Sequence, residues 1–440
     1  MMSPSPKLRL PLVLSVILAV TVLGLVPAWA EPLDLASCLR TALDRSLSVR
    51  QAEAEVAAAE FRLKEAKSAF LPTLATTYSY TRLDEAPTTT FAGQTFELGT
   101  ANNFSWALNL TQPLFTGFRV LTAKKLAELG LSSQKLGVDL ARLDLARNVK
   151  NVYFGVLLAQ KNQWVAEETV KSLRAQVEDS KNFFEVGMIP KNDLLEAEVE
   201  LANAEQLLVQ AKNQVNLAKA QLNTLLRQDV NTDLELVDVL DYVPAEPDFA
   251  PSLDQALAAR PELKQAQLGV DAATENVTLA KADYYPSVSL VGSYSRSGDG
   301  PELDGSDIET DPDQFSLTVG LSWTIWDWKA RDYRIGVSKS QVMRTRHVLN
   351  EVRDGVTLEV KQALLNLATT RQNIGVNRKA VEQAEESLRM SRERYKEQVA
   401  TSTEVLLAQT RLSQTQVNFF AALYGYHLAE AELARAMGRM

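Results

Sequence analysis

The chain states one pattern twice. AKSAFLPTL at 66–74 is answered by AKADYYPSV at 280–288, which places Pro72 and Pro286 214 residues apart. LNLTQPLFTG (108–117) is answered by VGLSWTIWDW (319–328), and GMIPKNDLLEAEVEL (187–201) by QVATSTEVLLAQTRL (398–412), both displaced by 211. Three anchors at nearly constant spacing mean an internal duplication of about 200 residues. Each copy runs helix, two strands, very long helix, medium helix. The expected division is a signal at 1–30, a first repeat at 31–227, a linker at 228–252 and a second repeat at 253–440.

The first 30 residues read as an export signal. Lys7 and Arg9 precede an apolar stretch from Leu12 to Leu25, and Ala28-Trp29-Ala30 forms a small-x-small cleavage site. The formal net charge is −9, and losing Lys7 and Arg9 makes the exported chain more acidic. That balance argues against a nucleic-acid partner, which wants a basic face. One cysteine, Cys38, rules out an internal disulfide framework.

Within each repeat the period changes from helical to two. Asp34 to Phe70 carries Ala and Leu at helical spacing, and Pro72 ends it because proline lacks the N–H a helix needs. Strands are expected at 73–83 and 103–113, and again at 287–297 and 314–326. In them Leu74, Tyr78, Phe104, Trp106, Leu290, Tyr294, Leu317 and Val319 alternate with small, mostly polar residues. Each strand is roughly ten residues, enough for a tilted strand to cross a bilayer. Aromatics gather at the strand ends: Tyr80, Phe104, Tyr294 and Phe315 at the hairpin side, Phe115, Trp323 and Trp326 at the helix side. Such girdles mark membrane interfaces. The loops Asp84–Asn103 and Gly298–Asp313 read as polar; the second holds seven acidic residues, among them Asp307 and Glu309, and no basic one.

The long helices are expected at 117–186 and 328–398, about 70 residues or ~105 Å each. In repeat one, 34–70 and the medium helix 190–227 together supply a similar length. In repeat two, 253–283 and the medium helix 402–438 do the same. This implies two columns of paired helices. The acidic linker contains LELVDVL, which reads as a short strand or an apolar belt.

The fold class is thus a mixed α and β membrane protein with four transmembrane strands and a long helical coiled coil. Four strands cannot close a barrel, and open edges in lipid leave backbone groups unsatisfied at several kcal/mol each. The barrel must be shared, and two, three or four chains would give eight, 12 or 16 strands. A soluble periplasmic coiled-coil protein, with the period-two segments as an ordinary sheet, is the competing reading. No catalytic constellation, metal site or cofactor motif occurs; His347 and His427 stand alone in helical segments.

With these elements in this order, residues 31–440 resemble the TolC-like outer-membrane efflux proteins. The resemblance implies a homotrimer with a 12-stranded outer-membrane barrel and a helical tunnel in the periplasm. It also implies a periplasmic adaptor and an inner-membrane pump of RND or ABC type as partners, and passive exit of a cargo. It places the adaptor contact at the two tip turns, on Gly187, Met188, Ile189 and Pro190 and on Val399, Thr401 and Ser402. It places a periplasmic gate at Asp193, Tyr395 and Glu404. Gln398 stands where the family usually shows glycine, Ala400 where some members carry an arginine, and Leu407 where they carry a second acidic residue. Asp193 and Glu404 also sit three residues after Pro190 and Thr401, where a carboxylate favours a helix start.

Overall fold

Two proline-terminated helical runs and four alternating segments meet in one antiparallel sheet. The computed structural model describes residues 32–239, 241–306 and 311–440. The expected signal at 1–30, and Asp307 and Glu309 of the acidic loop, lie outside them. In chain order the helices are α1 (Leu35–Arg45), α2 (Leu47–Ser68), α3 (Arg119–Glu185), α4 (Lys191–Leu226), α5 (Phe249–Ala259), α6 (Pro261–Lys281), α7 (Ala330–Lys396) and α8 (Ser402–Ala436). The strands are β1 (Thr73–Arg82), β2 (Thr88–Phe91), β3 (Gln94–Glu97), β4 (Asn102–Thr116), β5 (Ser287–Gly298) and β6 (Asp313–Ser322). Among the described residues no helix is long and apolar enough to cross a membrane.

The four-stranded sheet has the order β1-β4-β5-β6, antiparallel throughout. Directly paired residues share a face, so the register sorts the side chains. Leu74 lies opposite Leu110, Tyr78 opposite Trp106 and Tyr80 opposite Phe104. Leu108 lies opposite Tyr294, which in turn pairs with Phe315, while Leu290 meets Val319 and Val288 meets Leu321. One face is therefore apolar and aromatic. The other carries Thr77, Ser79, Ser105, Ala107, Asn109, Ser293, Ser316 and Thr318. Phe115 is out of phase with Leu108 and Leu110 by sequence. A bulge between Pro113 and Phe115 shifts the register so that Phe115 pairs with Val288 and joins the apolar face.

Three expectations need correcting. The last strand does not run to residue 326 but ends at Ser322, so Trp323 and Trp326 stand outside the sheet. There the chain bonds elsewhere: Trp323 Nε1 donates to Tyr284 O at 3.1 Å, and Arg331 donates to Ile325 O and Asp283 O at 3.2 and 3.1 Å. The segment 84–103 is not merely a polar loop, because it contains the hairpin β2–β3. Its two-residue turn, Ala92 and Gly93, has φ of 53° and 84°, the positive pair a type I′ turn demands. Finally, the long helices start at 119 and 330, because the preceding two residues are left-handed in both repeats. These are Gly117 and Phe118 (φ 60° and 68°), and Trp328 and Lys329 (54° and 65°). At Gly117 a β-carbon would sit 2.5 Å from Ala282 O, so the close approach admits only glycine.

The chain forms two compact units. One holds the sheet and the helical segments next to it in sequence: Ser46–Arg147, Ala245–Thr369 and Ala429–Met440. Here α2 packs on the first part of α3, and Ser46 caps α2 by accepting the Val49 N–H. Arg260, at the joint of α5 and α6, is 3% exposed and binds Glu262 and Glu359.

The other unit contains Asn148–Pro244, Thr370–Leu428 and the chain up to Arg45. In it α4 packs on the later part of α3 through Val170, Leu173, Ala197 and Ala204. From 228 to Pro244 the described residues of the linker form no strand; they make one parallel bridge, Leu236 to Leu33, and are held by buried tyrosines. The Tyr153 hydroxyl lies 2.6 Å from Val237 O and 3.2 Å from Leu33 O, Tyr424 bonds Asp238 at 2.7 Å, and Tyr426 bonds Val243 O at 2.8 Å. Burial raises the Tyr153 and Tyr424 phenols above their ordinary range, so both stay donors. His427 stacks on Phe154, with ring centroids 4.9 Å apart.

Candidate functional site: the tip turns and the sheet

Both tip turns are built by the same hydrogen bonds. After α3, Met188 N–H donates to Phe183 O at 2.8 Å and Gly187 N–H to Phe184 O at 2.9 Å. After α7, Val399 N–H donates to Arg394 O at 2.9 Å and Gln398 N–H to Tyr395 O at 3.0 Å. This paired pattern is the Schellman motif, which needs a left-handed residue at its centre. Gly187 supplies it with φ of 75°, and Gln398 adopts 61° without being glycine. Replacing Gln398 with glycine is expected to stabilise the protein by about 0.5–1 kcal/mol. A thermal midpoint no higher than wild type would show that the Gln398 side chain makes a compensating contact.

Val186, Met188 and Val399 are 69%, 52% and 64% exposed, so the turns present apolar side chains to solvent. Pro190 precedes α4 and Ile189 is half-buried beside it. Thr401 caps α8 by accepting the Glu404 N–H at 3.3 Å, and Ser402 behind it is fully buried.

The three expected gate residues have different surroundings. Tyr395 is 3% exposed, packed with Leu388, Val405 and Ala408 and edge-on to Phe183 at 5.4 Å. Its hydroxyl is 3.0 Å from that of Ser180. Glu404 is exposed and ion-paired to Arg394 at 3.2 Å, and Arg394 also donates to Val399 O at 3.2 Å. Asp193, in the first turn of α4, has no ion pair or side-chain hydrogen bond among the described residues. Within one chain, then, Tyr395 is joined to Ser180 and Glu404 to Arg394, while Asp193 stands unmatched.

Reading the sequence for charged landmarks misses the polar residues around them. Thr169, Ser172, Gln176 and Ser180 recur on one face of α3. Three of them bind across to α7 and α8: Thr169 to Ser413 at 2.7 Å, Ser172 to Gln409 and Arg392, and Ser180 to Tyr395, while Gln176 contacts Ser180 on its own helix. Arg392 also lies 3.3 Å from Gln409 Oε1, and burial lowers its pKa. The 3-4-4 spacing on α3 was the available signal. Glu196 on α4 accepts from Thr403 on α8 at 3.0 Å.

At the sheet, Tyr80 stacks on Phe104 at 4.5 Å, Trp106 meets Tyr294 at 5.8 Å, and Tyr294 bonds Asp313 at 3.0 Å. Phe315 is 75% exposed, Trp323 53% and Trp326 66%. The outer strands β1 and β6 each have one edge without a partner among the described strands.

An apolar-faced sheet with open edges, joined to two very long helices, defines an outer-membrane channel protein. The outer membrane efflux protein family model matches residues 38–227 and 252–439, the two repeats in turn, and the chain belongs to that family. It is 23% identical to nodulation protein T of Rhizobium leguminosarum bv. trifolii, covering 95% of this chain and 88% of that protein. It is 24% identical to outer membrane efflux protein BepC of Brucella suis biovar 1, covering 97% and 89%. The Campylobacter jejuni CmeC outer membrane channel superposes with a TM-score of 0.78 at 17% identity, over 92% of this chain and 85% of that one. The protein is an outer-membrane efflux channel with its helical part in the periplasm, and the soluble coiled-coil reading is set aside.

Proposed function

We propose that three copies close their sheets into one 12-stranded barrel and act as a passive exit duct of a tripartite efflux or type I secretion system. The observation that carries this reading is the four-stranded sheet with one apolar face and two open edges. An edge exposed to lipid is not tolerated, so β6 of one copy pairs with β1 of the next. Tyr80, Phe104, Tyr294 and Phe315 then ring one membrane interface, and Phe115, Trp323 and Trp326 the other.

The exposed apolar side chains of Val186, Met188 and Val399 suit docking of a periplasmic adaptor on the two tip turns, which run through Gly187, Ile189 and Pro190 and through Thr401 with the buried Ser402 behind it. An inner-membrane pump of RND or ABC type completes the assembly and chooses the cargo. Asp193, Tyr395 and Glu404 form the gate region. Because Arg394 already matches Glu404, the unpaired carboxylates of Asp193 give the closed tip its preference for cations.

Purified protein in a planar lipid bilayer tests the reading. Trimers that conduct, with permeability favouring cations and less so in Asp193→Asn, are expected. Folded protein that remains a single copy in detergent and forms no pore would end this proposal.

A further inference from the structure

Beyond the tip turns, α3, α4 and α8 leave a groove of about 360 Å³ between them. All of its lining lies in one compact unit of a single copy. Val165 and Leu173 on α3, Leu207 on α4 and Val417 on α8 give it apolar walls. Leu207 is 60% exposed, so the chain itself does not close those walls. The space suits a small molecule and is too small for even two turns of a helix.

Most polar groups in the lining already have partners. Thr169 and Ser413 touch at 2.7 Å, Thr410 donates to Leu406 O at 3.0 Å, Gln409 accepts from Ser172, and Gln414 donates to Asn418 at 3.0 Å. Two do not. Asn162 Oδ1 is buried without a donor, and the Glu200 carboxylate has no ion pair or hydrogen bond among the described residues. No lysine, arginine or histidine lines the groove. The cations beside Leu173 in sequence are held elsewhere, Lys171 by Glu168 at 3.5 Å and Arg174 by Glu205 at 2.7 Å. The two unmatched groups stand at opposite ends, because α3 and α4 run antiparallel from one turn. Glu200 is near the start of α4 at Lys191, whereas Asn162 is far from the end of α3 at Glu185. Along the helices they are about 20 Å apart, less the reach of their side chains.

We infer that this groove binds a linear aliphatic amine carrying a hydrogen-bond donor at its far end. The ammonium pairs with Glu200, a charge-assisted bond that an apolar surround strengthens. The methylenes lie along Leu173, Leu207, Val165 and Val417, and the far donor meets Asn162 Oδ1. That donor removes the cost of a buried acceptor left unmade. An anionic amphiphile of the same length is rejected, because Glu200 repels it and no cation in the lining answers it. The bound chain joins α3 and α4 of the first repeat to α8 of the second. The site lies apart from the tip turns and the gate residues, and it does not rest on the duct reading.

Calorimetric titration of the full chain in lipid nanodiscs is the test, with empty nanodiscs as the blank. The probes are dodecylamine, its ω-hydroxy derivative and dodecanoate. Saturable binding of both amines is expected, several-fold tighter for the hydroxy derivative, with none for dodecanoate. Glu200→Gln should weaken both amines about tenfold. Asn162→Ala should erase the preference for the hydroxy derivative and leave dodecylamine unchanged. Neither side chain bonds within the chain among the described residues, so a loss of binding is not a loss of fold. No heat above the blank would overturn the site. Dodecanoate binding as tightly as the amines, or unchanged amine affinity in Glu200→Gln, would show apolar adsorption only and overturn it too. Equal affinity of the two amines for the wild type would overturn the placement of the chain between Glu200 and Asn162.

Discussion

Replacing Arg260 with alanine is expected to destabilise the protein by about 3 kcal/mol, the low end for breaking a buried ion pair. The side chain is 3% exposed and caps the joint between α5 and α6. Its guanidinium donates to Glu262 at 2.7 and 3.3 Å and to Glu359. Arg435 on α8 completes the cluster, reaching Asp144 on α3 at 3.0 Å, Glu262 at 2.9 Å and Glu359 at 3.5 Å. Two cations thus hold three carboxylates from three helices. Glu359 is half exposed and regains water when Arg260 is lost, which is why the low end applies. Glu262 is 21% exposed and is left with Arg435 alone.

Burial opposes ionisation of Glu262, but the bonds from Arg260 outweigh it and hold the carboxyl below its ordinary range. A depressed carboxyl gives stability that is complete above its unfolded value and lost as pH falls through its folded value. Acid should therefore weaken this unit from the ordinary glutamate range downward, and Glu262→Gln should flatten that limb. The measurement is the denaturation midpoint in detergent against pH. An Arg260→Ala midpoint equal to wild type would mean the cluster is no better than a solvated surface pair.

The duplication, the strand phases and the long helices are legible because each depends on a short-range period that the sequence carries directly. What escapes is whatever depends on the neighbouring element. Phe115 reads as out of phase, and only the bulge at Pro113 returns it to the apolar face. Trp323 continues the alternation on paper, yet Arg331 takes the Ile325 carbonyl beyond it and the ladder stops at Ser322. The hairpin at 88–97 is signalled by Ala92-Gly93, a weaker pair than Asn-Gly. At the tip, Asp193, Tyr395 and Glu404 are reached only through the family resemblance, since nothing in their local pattern sets them apart from other helix-start acids and helix aromatics. Ser180 and Arg394, which bind two of them, look like ordinary helix surface until the helices are placed together.

Tyr395→Ala is expected to loosen the tip strongly, and Tyr395→Phe only slightly. The phenylalanine keeps the contacts with Phe183, Leu388 and Val405 and loses only the hydroxyl bond to Ser180. Ser180 keeps a contact to Gln176 at 3.5 Å, so the loss is about 1 kcal/mol, a factor of roughly five in the closed-to-open ratio. The alanine empties a site that is 3% exposed and costs about 3 kcal/mol or more. If closure draws on that joint in full, the ratio shifts by roughly a hundredfold. Single-channel open probability in a planar bilayer reads this directly, with the order Ala above Phe above wild type. Ser180→Ala should resemble Tyr395→Phe, and the two together should add little, because they remove the same bond. Wild-type opening in Tyr395→Ala trimers would place the lock elsewhere.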